Sequence, residues 1–153
     1  MTDSSGSRLV PINVLLVEDS PGDVRLTQEA LKDAKVHVNL HVATDGVEAM
    51  AFLLRQGVHA HVPRPDLVLL DLNLPRKDGR EVLKEIKDST TLGTIPVVIL
   101  TTSSSQEDVI NSYRLRANCY ITKPVSLEGF IKVVRSIDDF WLSVVRLPKE
   151  GAR

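Results

Sequence analysis

The stretch PDLVLLDLNLPRKDG, Pro65 to Gly79, decides the fold. Its apolar run Leu67-Val68-Leu69-Leu70 ends on Asp71, and a polar loop carrying Pro75 follows at once. Such a short, continuous run fits a strand buried on both faces of a parallel sheet. A carboxylate at the end of a fully buried strand needs a reason. The pattern recurs along the chain. INVLLVEDSPGD, Ile12 to Asp23, stops on the adjacent acids Glu18 and Asp19. IPVVILTTSSS stops on the hydroxyls of Thr101 and Thr102, and ANCYITKP stops on Lys123, just before Pro124. With VNLHVA, these segments predict strands near 12–17, 38–43, 66–71, 96–101 and 118–122.

Amphipathic, capped segments lie between them. SPGDVRLTQEALKDA has Ser20 as N-cap, Pro21 at the first helical position and Asp23 where a capping-box acid sits. Asp45 caps a helix with Val47, Met50, Ala51 and Leu54 on its apolar face, stopped by Gly57. DGREVLKEIKD turns Val82, Leu83 and Ile86 inward, SQEDVINSYRLR starts at Ser105, and the last helix starts near Ser126. Strand–helix alternation predicts an α/β fold: a doubly wound five-stranded parallel sheet, right-handed crossovers, helices on both faces. In such sheets the ligand sits beyond the carboxyl ends of the strands, where strand order reverses. With a flavodoxin-like order 2-1-3-4-5, the first and third strands are neighbours, and Glu18, Asp19 and Asp71 converge.

Three carboxylates in one cleft repel, and a divalent cation removes the conflict. Oxygen ligands suit Mg²⁺, and the absence of His and Cys from the strand ends disfavours Zn²⁺. Lys123 supplies a compact ammonium for an anion, and the Thr101 hydroxyl can donate to the same anion. Those are the parts for phosphoryl transfer to a carboxylate.

With those residues in view, the chain resembles the receiver domain of two-component response regulators, and the resemblance covers nearly its whole length. It implies that Asp71 is the phosphorylated aspartate, that Asp19 ligates Mg²⁺ directly and Glu18 mainly through water, and that the Asn73 backbone carbonyl completes the metal site. It further implies that Thr101 is the switch hydroxyl, Tyr120 the switch aromatic, Lys123 the family's lysine, and Pro124 the proline of a cis peptide bond. Asn73 and Ser103 would flank the path of attacking water. VEDSPGDVRLTQEALK, PDLVLLDLNLPRKDGREVLKEIK, NCYITKP and FWLSVVRLP also resemble the small single-domain regulators paired with bacterial and cyanobacterial phytochrome histidine kinases. That resemblance implies a phytochrome-type kinase as partner, self-phosphorylation and dephosphorylation as the only catalysis, and a homodimer.

The bulk properties agree. A chain of 153 residues makes one domain with one sizeable core. With 19 basic and 20 acidic side chains and a net charge of -1, nothing recommends a nucleic-acid partner. The single cysteine, Cys119, allows no intrachain disulfide and fits a cytoplasmic location. No apolar stretch approaches the roughly 18 residues of a membrane span, and MTDSSGSR lacks a hydrophobic signal core. The expected organisation is a mobile arm over 1–10, a receiver domain over 11–138, and a helical extension and tail over 139–153 with no output domain. Phe140, Trp141, Val144 and Val145 crowd several faces of that extension and predict a dimer contact. The opposing expectation is a tail that folds back on its own domain.

Each residue also has an ordinary reading: Asp71 as a turn residue, Thr101 as a strand-end hydroxyl satisfied by backbone, Tyr120 as packing, Lys123 as a solvated charge. Their common place at strand ends argues against all four together. His59 and His61 have metal-like spacing but read as a solvated loop, and Cys119 reads as a small core hydrophobe. Three other functions compete. A haloacid-dehalogenase-like phosphatase needs Asp-x-Asp, whereas this chain has Asp71-Leu72-Asn73, and an amide cannot serve in acid–base catalysis. A flavodoxin-like carrier would have to place a phosphate against the acidic loop EDSPGD. A phosphorylation-silent scaffold usually lacks one of the key acids.

Overall fold

The computed structural model describes residues 10–149. Of the expected N-terminal arm, residues 1–9 lie outside the described part, as do residues 150–153 of the expected tail. Five strands, β1 (Ile12–Val17), β2 (Val38–Ala43), β3 (Leu67–Leu70), β4 (Val97–Thr101) and β5 (Cys119–Thr122), form one parallel sheet in the order β2-β1-β3-β4-β5. The connecting helices are α1 (Pro21–Leu31), α2 (Gly46–Leu53), α3 (Gly79–Asp88), α4 (Gln106–Arg114) and α5 (Leu127–Ile137). The predicted class and strand order are those observed. No helix among the described residues is long and apolar enough to cross a membrane.

The uninterrupted apolar runs are explained by the two layers they feed. Successive side chains of a strand point to opposite faces. Leu15, Val17, Val68, Leu70, Val97 and Ile99 therefore join one core with residues of α2 and α3. Val14, Leu16, Leu67, Leu69, Val98 and Leu100 join the other with residues of α1 and α5. Ser20, Asp45, Asp78, Ser105 and Ser126 each cap the following helix through the side chain. At Gly79, the first residue of α3, a Cβ would collide with the Asp71 carbonyl oxygen, so the loop after β3 folds back onto the strand end only because that side chain is absent. α4 is the exception in packing. Ser112 is its one buried residue, while Ile110 and Tyr113 are exposed.

Two expectations need correction. The peptide bond before Pro124 is trans. The trans form is favoured for X–Pro by about 0.5–1 kcal/mol, and with it the Lys123 N–H still donates to the Thr101 carbonyl across 2.6 Å. The extension does not continue α5 as a regular helix. Asp138–Leu142 make a wider π-type turn that carries Leu142 into the α1/α5 layer, with Trp141 packed against its edge. Lys149 then pairs with Asp66 at 2.9 Å, at the start of β3. Burying Leu142 and part of Trp141 favours that turn over two exposed helical turns. The described tail thus lies along its own domain, yet Phe140 and Val144 remain 55% and 71% exposed.

Candidate functional site

Register brings the site together. Val17 of β1 lies opposite Leu70 of β3, so the next residues, Glu18 and Asp71, leave the sheet side by side. The Asp71 N–H donates to the Val17 carbonyl at 3.1 Å. Carboxylate oxygens of Glu18, Asp19 and Asp71 all lie within 4.8 Å of one another. Glu18 and Asp71 are buried and Asp19 is exposed, so the cluster opens to solvent on one side.

Both oxygens of Asp71 are engaged. Oδ1 accepts from the Thr101 hydroxyl at 2.7 Å and from the Asn73 N–H at 3.1 Å. Oδ2 accepts from the Lys123 ammonium at 3.0 Å. Lys123 also donates to Glu18 Oε1 at 2.5 Å and to Asp23 Oδ2 at 2.8 Å. Burial alone would disfavour the ammonium, but hydrogen bonds to Asp23, Glu18 and Asp71 outweigh it and hold the Lys123 pKa above its ordinary value. Burial pushes the Glu18 carboxyl up, and the bond from Lys123 offsets that only in part.

One ammonium therefore pairs with Glu18, Asp23 and Asp71, and Asp19 adds a further carboxylate beside Glu18 and Asp71. That excess of negative charge, on hard oxygen donors open to solvent, fits a divalent cation. Glu18, Asp19 and Asp71 are the residues that would hold it. The same cation, with Lys123 and Thr101, would offset charge on a phosphoryl group arriving at Asp71.

The predicted residues Glu18, Asp19, Asp71, Thr101 and Lys123 thus meet. The Asn73 side chain is exposed and its contribution here is its N–H. Tyr120 is half-buried and its hydroxyl donates to the Ser103 carbonyl at 2.8 Å. Asp23 has the position of a capping-box acid, but its carboxylate serves Lys123 instead. The Ser20 N–H it would have taken is held by Glu18 Oε2 at 3.1 Å. The Ser103 hydroxyl donates to Asp108 Oδ2 at 2.6 Å. His59 sits in a short 3-10 turn near Glu48 and against the Phe52 ring, outside the acid cluster. Cys119 is half-buried, and burial pushes its thiol pKa up.

An aspartate at the end of the third strand, flanked by an acid pair, a strand-end threonine and a buried lysine in a 2-1-3-4-5 sheet, defines a class. The chain belongs to the response regulator receiver domains, whose family model matches residues 14–135. It is a response regulator of the two-component kind. Among its relatives is the response regulator Rcp1 of Synechocystis, 53% identical over 148 residues, which are 97% of this chain and 99% of Rcp1. The crystal structure of Mn²⁺-bound Rcp1 is similar with a TM-score of 0.89 at 54% identity, covering 91% of this chain and 100% of that one. The structure of the phosphorylated cyanobacterial phytochrome response regulator RcpA also scores 0.89, at 50% identity, covering 92% of this chain and 100% of RcpA. Receiver domains bind a divalent metal, and the acid cluster fits that requirement.

Proposed function

We propose that Asp71 accepts a phosphoryl group from the phosphohistidine of a histidine kinase, with Mg²⁺ as the metal. The observation that carries this is the Asp71 carboxylate bridged between Thr101 and Lys123 beside the Glu18/Asp19 pair. An Asp71 oxygen forms the new bond to phosphorus as the phosphorus–nitrogen bond to the kinase imidazole breaks. Thr101 and Lys123 then exchange their bonds to the carboxylate for bonds to the phosphoryl oxygens. Asp19, Glu18, Asp71 and the Asn73 carbonyl are the metal ligands in this reading, with Glu18 acting through water.

Residues 11–138 form the receiver in this reading, and the protein catalyses only its own phosphorylation and dephosphorylation. It works in the cytoplasm, without nucleic acid or membrane as partner. The kinase is of the phytochrome type, as expected from the likeness to RcpA, the phosphorylated phytochrome response regulator. The signal leaves by protein contact or onward phosphotransfer, and the protein forms a homodimer through Phe140, Trp141, Val144 and Val145. The exposed Phe140 and Val144 support that contact.

A screen with radiolabelled phosphorylated histidine kinases, phytochrome-type kinases among them, tests the proposal. Wild type should take label in a Mg²⁺-dependent way and Asp71→Asn should not. Equal labelling of both proteins would refute Asp71 as acceptor, and no labelling of either would favour a silent scaffold.

A further inference from the structure

α4 lacks the usual anchor of a surface helix. It buries Ser112 and no other residue, and its side chains Ile110 and Tyr113 face solvent. A cleft of about 370 Å³ beside it is lined by Arg80, Asp108, Asn111, Ser112, Arg114 and Leu115. A helix with so little apolar burial and free space beside it can change position at small cost.

A polar clamp holds its first turn instead. Arg80, in the first turn of α3, grips Asp108, in the first turn of α4, with two parallel bonds. Nε donates to Oδ1 at 3.1 Å and Nη2 to Oδ2 at 2.9 Å. This fork geometry fixes orientation as well as distance. The same guanidinium reaches the Leu72 carbonyl, next to Asp71, at 3.4 Å, and Asp78 Oδ1 at 3.0 Å. Asp108 in turn holds the Ser103 hydroxyl at 2.6 Å, and the Ser103 carbonyl accepts from Tyr120 at 2.8 Å. One guanidinium therefore ties the loop after Asp71 to the loop after Thr101 and to the start of α4.

We propose that the Arg80–Asp108 pair is a latch: it holds α4 in its resting position and opposes the rearrangement that a group bound at Asp71 drives through Thr101. The proposal rests on Asp71 as the phosphoryl acceptor. The latch contributes to the resting arrangement alone. Opening it therefore shifts the equilibrium toward the activated arrangement, and a ligand that favours that arrangement binds more tightly in consequence. Arg80 acts here as a positioning residue, since it touches neither the acceptor nor the metal ligands.

Beryllofluoride, a phosphoryl mimic, titrated with Mg²⁺ against the full chain reads this directly. Arg80→Gln and Asp108→Asn should each tighten apparent beryllofluoride affinity by roughly two- to fivefold, the range expected for one partly exposed, well-oriented ion pair. The double variant should gain no more than either single, because both remove the same interaction. Asp108→Glu, which keeps the charge, should return toward wild type. Wild type that binds beryllofluoride, with variants that bind no more tightly or with additive gains, overturns the latch and leaves Asp71 untouched. Wild type that binds none overturns the acceptor reading itself. Amide hydrogen exchange of the unmutated protein gives a second measurement that needs no variant to fold. Val109 and its neighbours at the start of α4 should lose protection when beryllofluoride binds, and unchanged protection would overturn the latch.

Discussion

The Thr101 hydroxyl donates to Asp71 Oδ1 across 2.7 Å, although the two residues are 30 positions apart in the chain. Both are buried, Thr101 at 0% and Asp71 at 7% exposure. Thr101 therefore already touches the carboxylate that would receive the phosphoryl group. Its carbonyl meanwhile accepts from the Lys123 N–H, so the ends of β3, β4 and β5 share one local network.

Thr101→Ala should retain phosphorylation while weakening the conformational response to it. One hydrogen bond is lost at Asp71, a cost of about 1 kcal/mol in stability. The nucleophile and the acid cluster stay. Labelling from a phosphorylated kinase should remain substantial, while the beryllofluoride-induced change in Tyr120 fluorescence or exchange should shrink. A full response in the variant would remove Thr101 from the coupling.

Lys123→Ala should be costly in the absence of metal. The ammonium is the shared partner of Glu18, Asp23 and Asp71, and its side chain is 5% exposed. Removing one partner of a buried ion network costs about 3–5 kcal/mol. Added Mg²⁺ should restore more stability to the variant than it adds to wild type, because only the variant lacks any cation among these acids. Denaturant titrations with and without Mg²⁺ measure both, and equal Mg²⁺ shifts would contradict the account.

Val144→Asp and Phe140→Ala should dissociate the proposed dimer while leaving the domain intact, since both side chains face solvent in the single chain. A tenfold rise in the dimer Kd corresponds to about 1.4 kcal/mol. Trp141→Ala is a poorer test, because Trp141 packs against its own α1/α5 layer and its loss also weakens the fold. Sedimentation equilibrium at high micromolar concentration gives the answer. A monomeric wild type, with and without beryllofluoride, would end the dimer proposal.

Asp138→Asn should raise stability near neutral pH and leave it nearly unchanged in acid. Asp138 is buried at the end of α5, and its Oδ1 accepts no hydrogen bond among the described residues. Burial pushes its carboxyl pKa above the ordinary 3.8, helped by neighbouring Asp139, while the Lys35 N–H and ammonium oppose the shift. A raised pKa means that the folded state binds the proton more tightly than the unfolded chain. The contribution of Asp138 to stability is therefore most favourable below the unfolded pKa and falls as pH rises through the folded one. Thermal midpoints at pH 4 and pH 7 for both proteins test this. A gain at pH 4 that equals the gain at pH 7 would exclude titration of Asp138 as the cause.

The linear sequence determined everything set by neighbours along the chain. Apolar runs too continuous for alternation fit strands buried on both faces, as β3 and β4 are, and the ends of the runs gave the acids, the hydroxyl and the lysine a common edge. Ser20, Asp45, Ser105 and Ser126 marked helix starts because a cap bonds an amide two or three residues away. The tertiary structure decided whatever depends on competition between distant groups. Asp23 had the right position for a capping box, but Glu18 took the Ser20 N–H, and Lys123, 100 residues away, took the Asp23 carboxylate. Arg80 and Asp108 are two ordinary first-turn charges until the sheet sets their helices side by side. The tail has the pattern of extra helix, yet burial of Leu142 turned it onto its own domain and left Phe140 and Val144 facing outward. Local hydrogen bonds and periodicity are short-ranged and leave a mark in sequence spacing. A charged side chain instead goes to whichever partner the completed fold brings nearest, and no spacing records that choice.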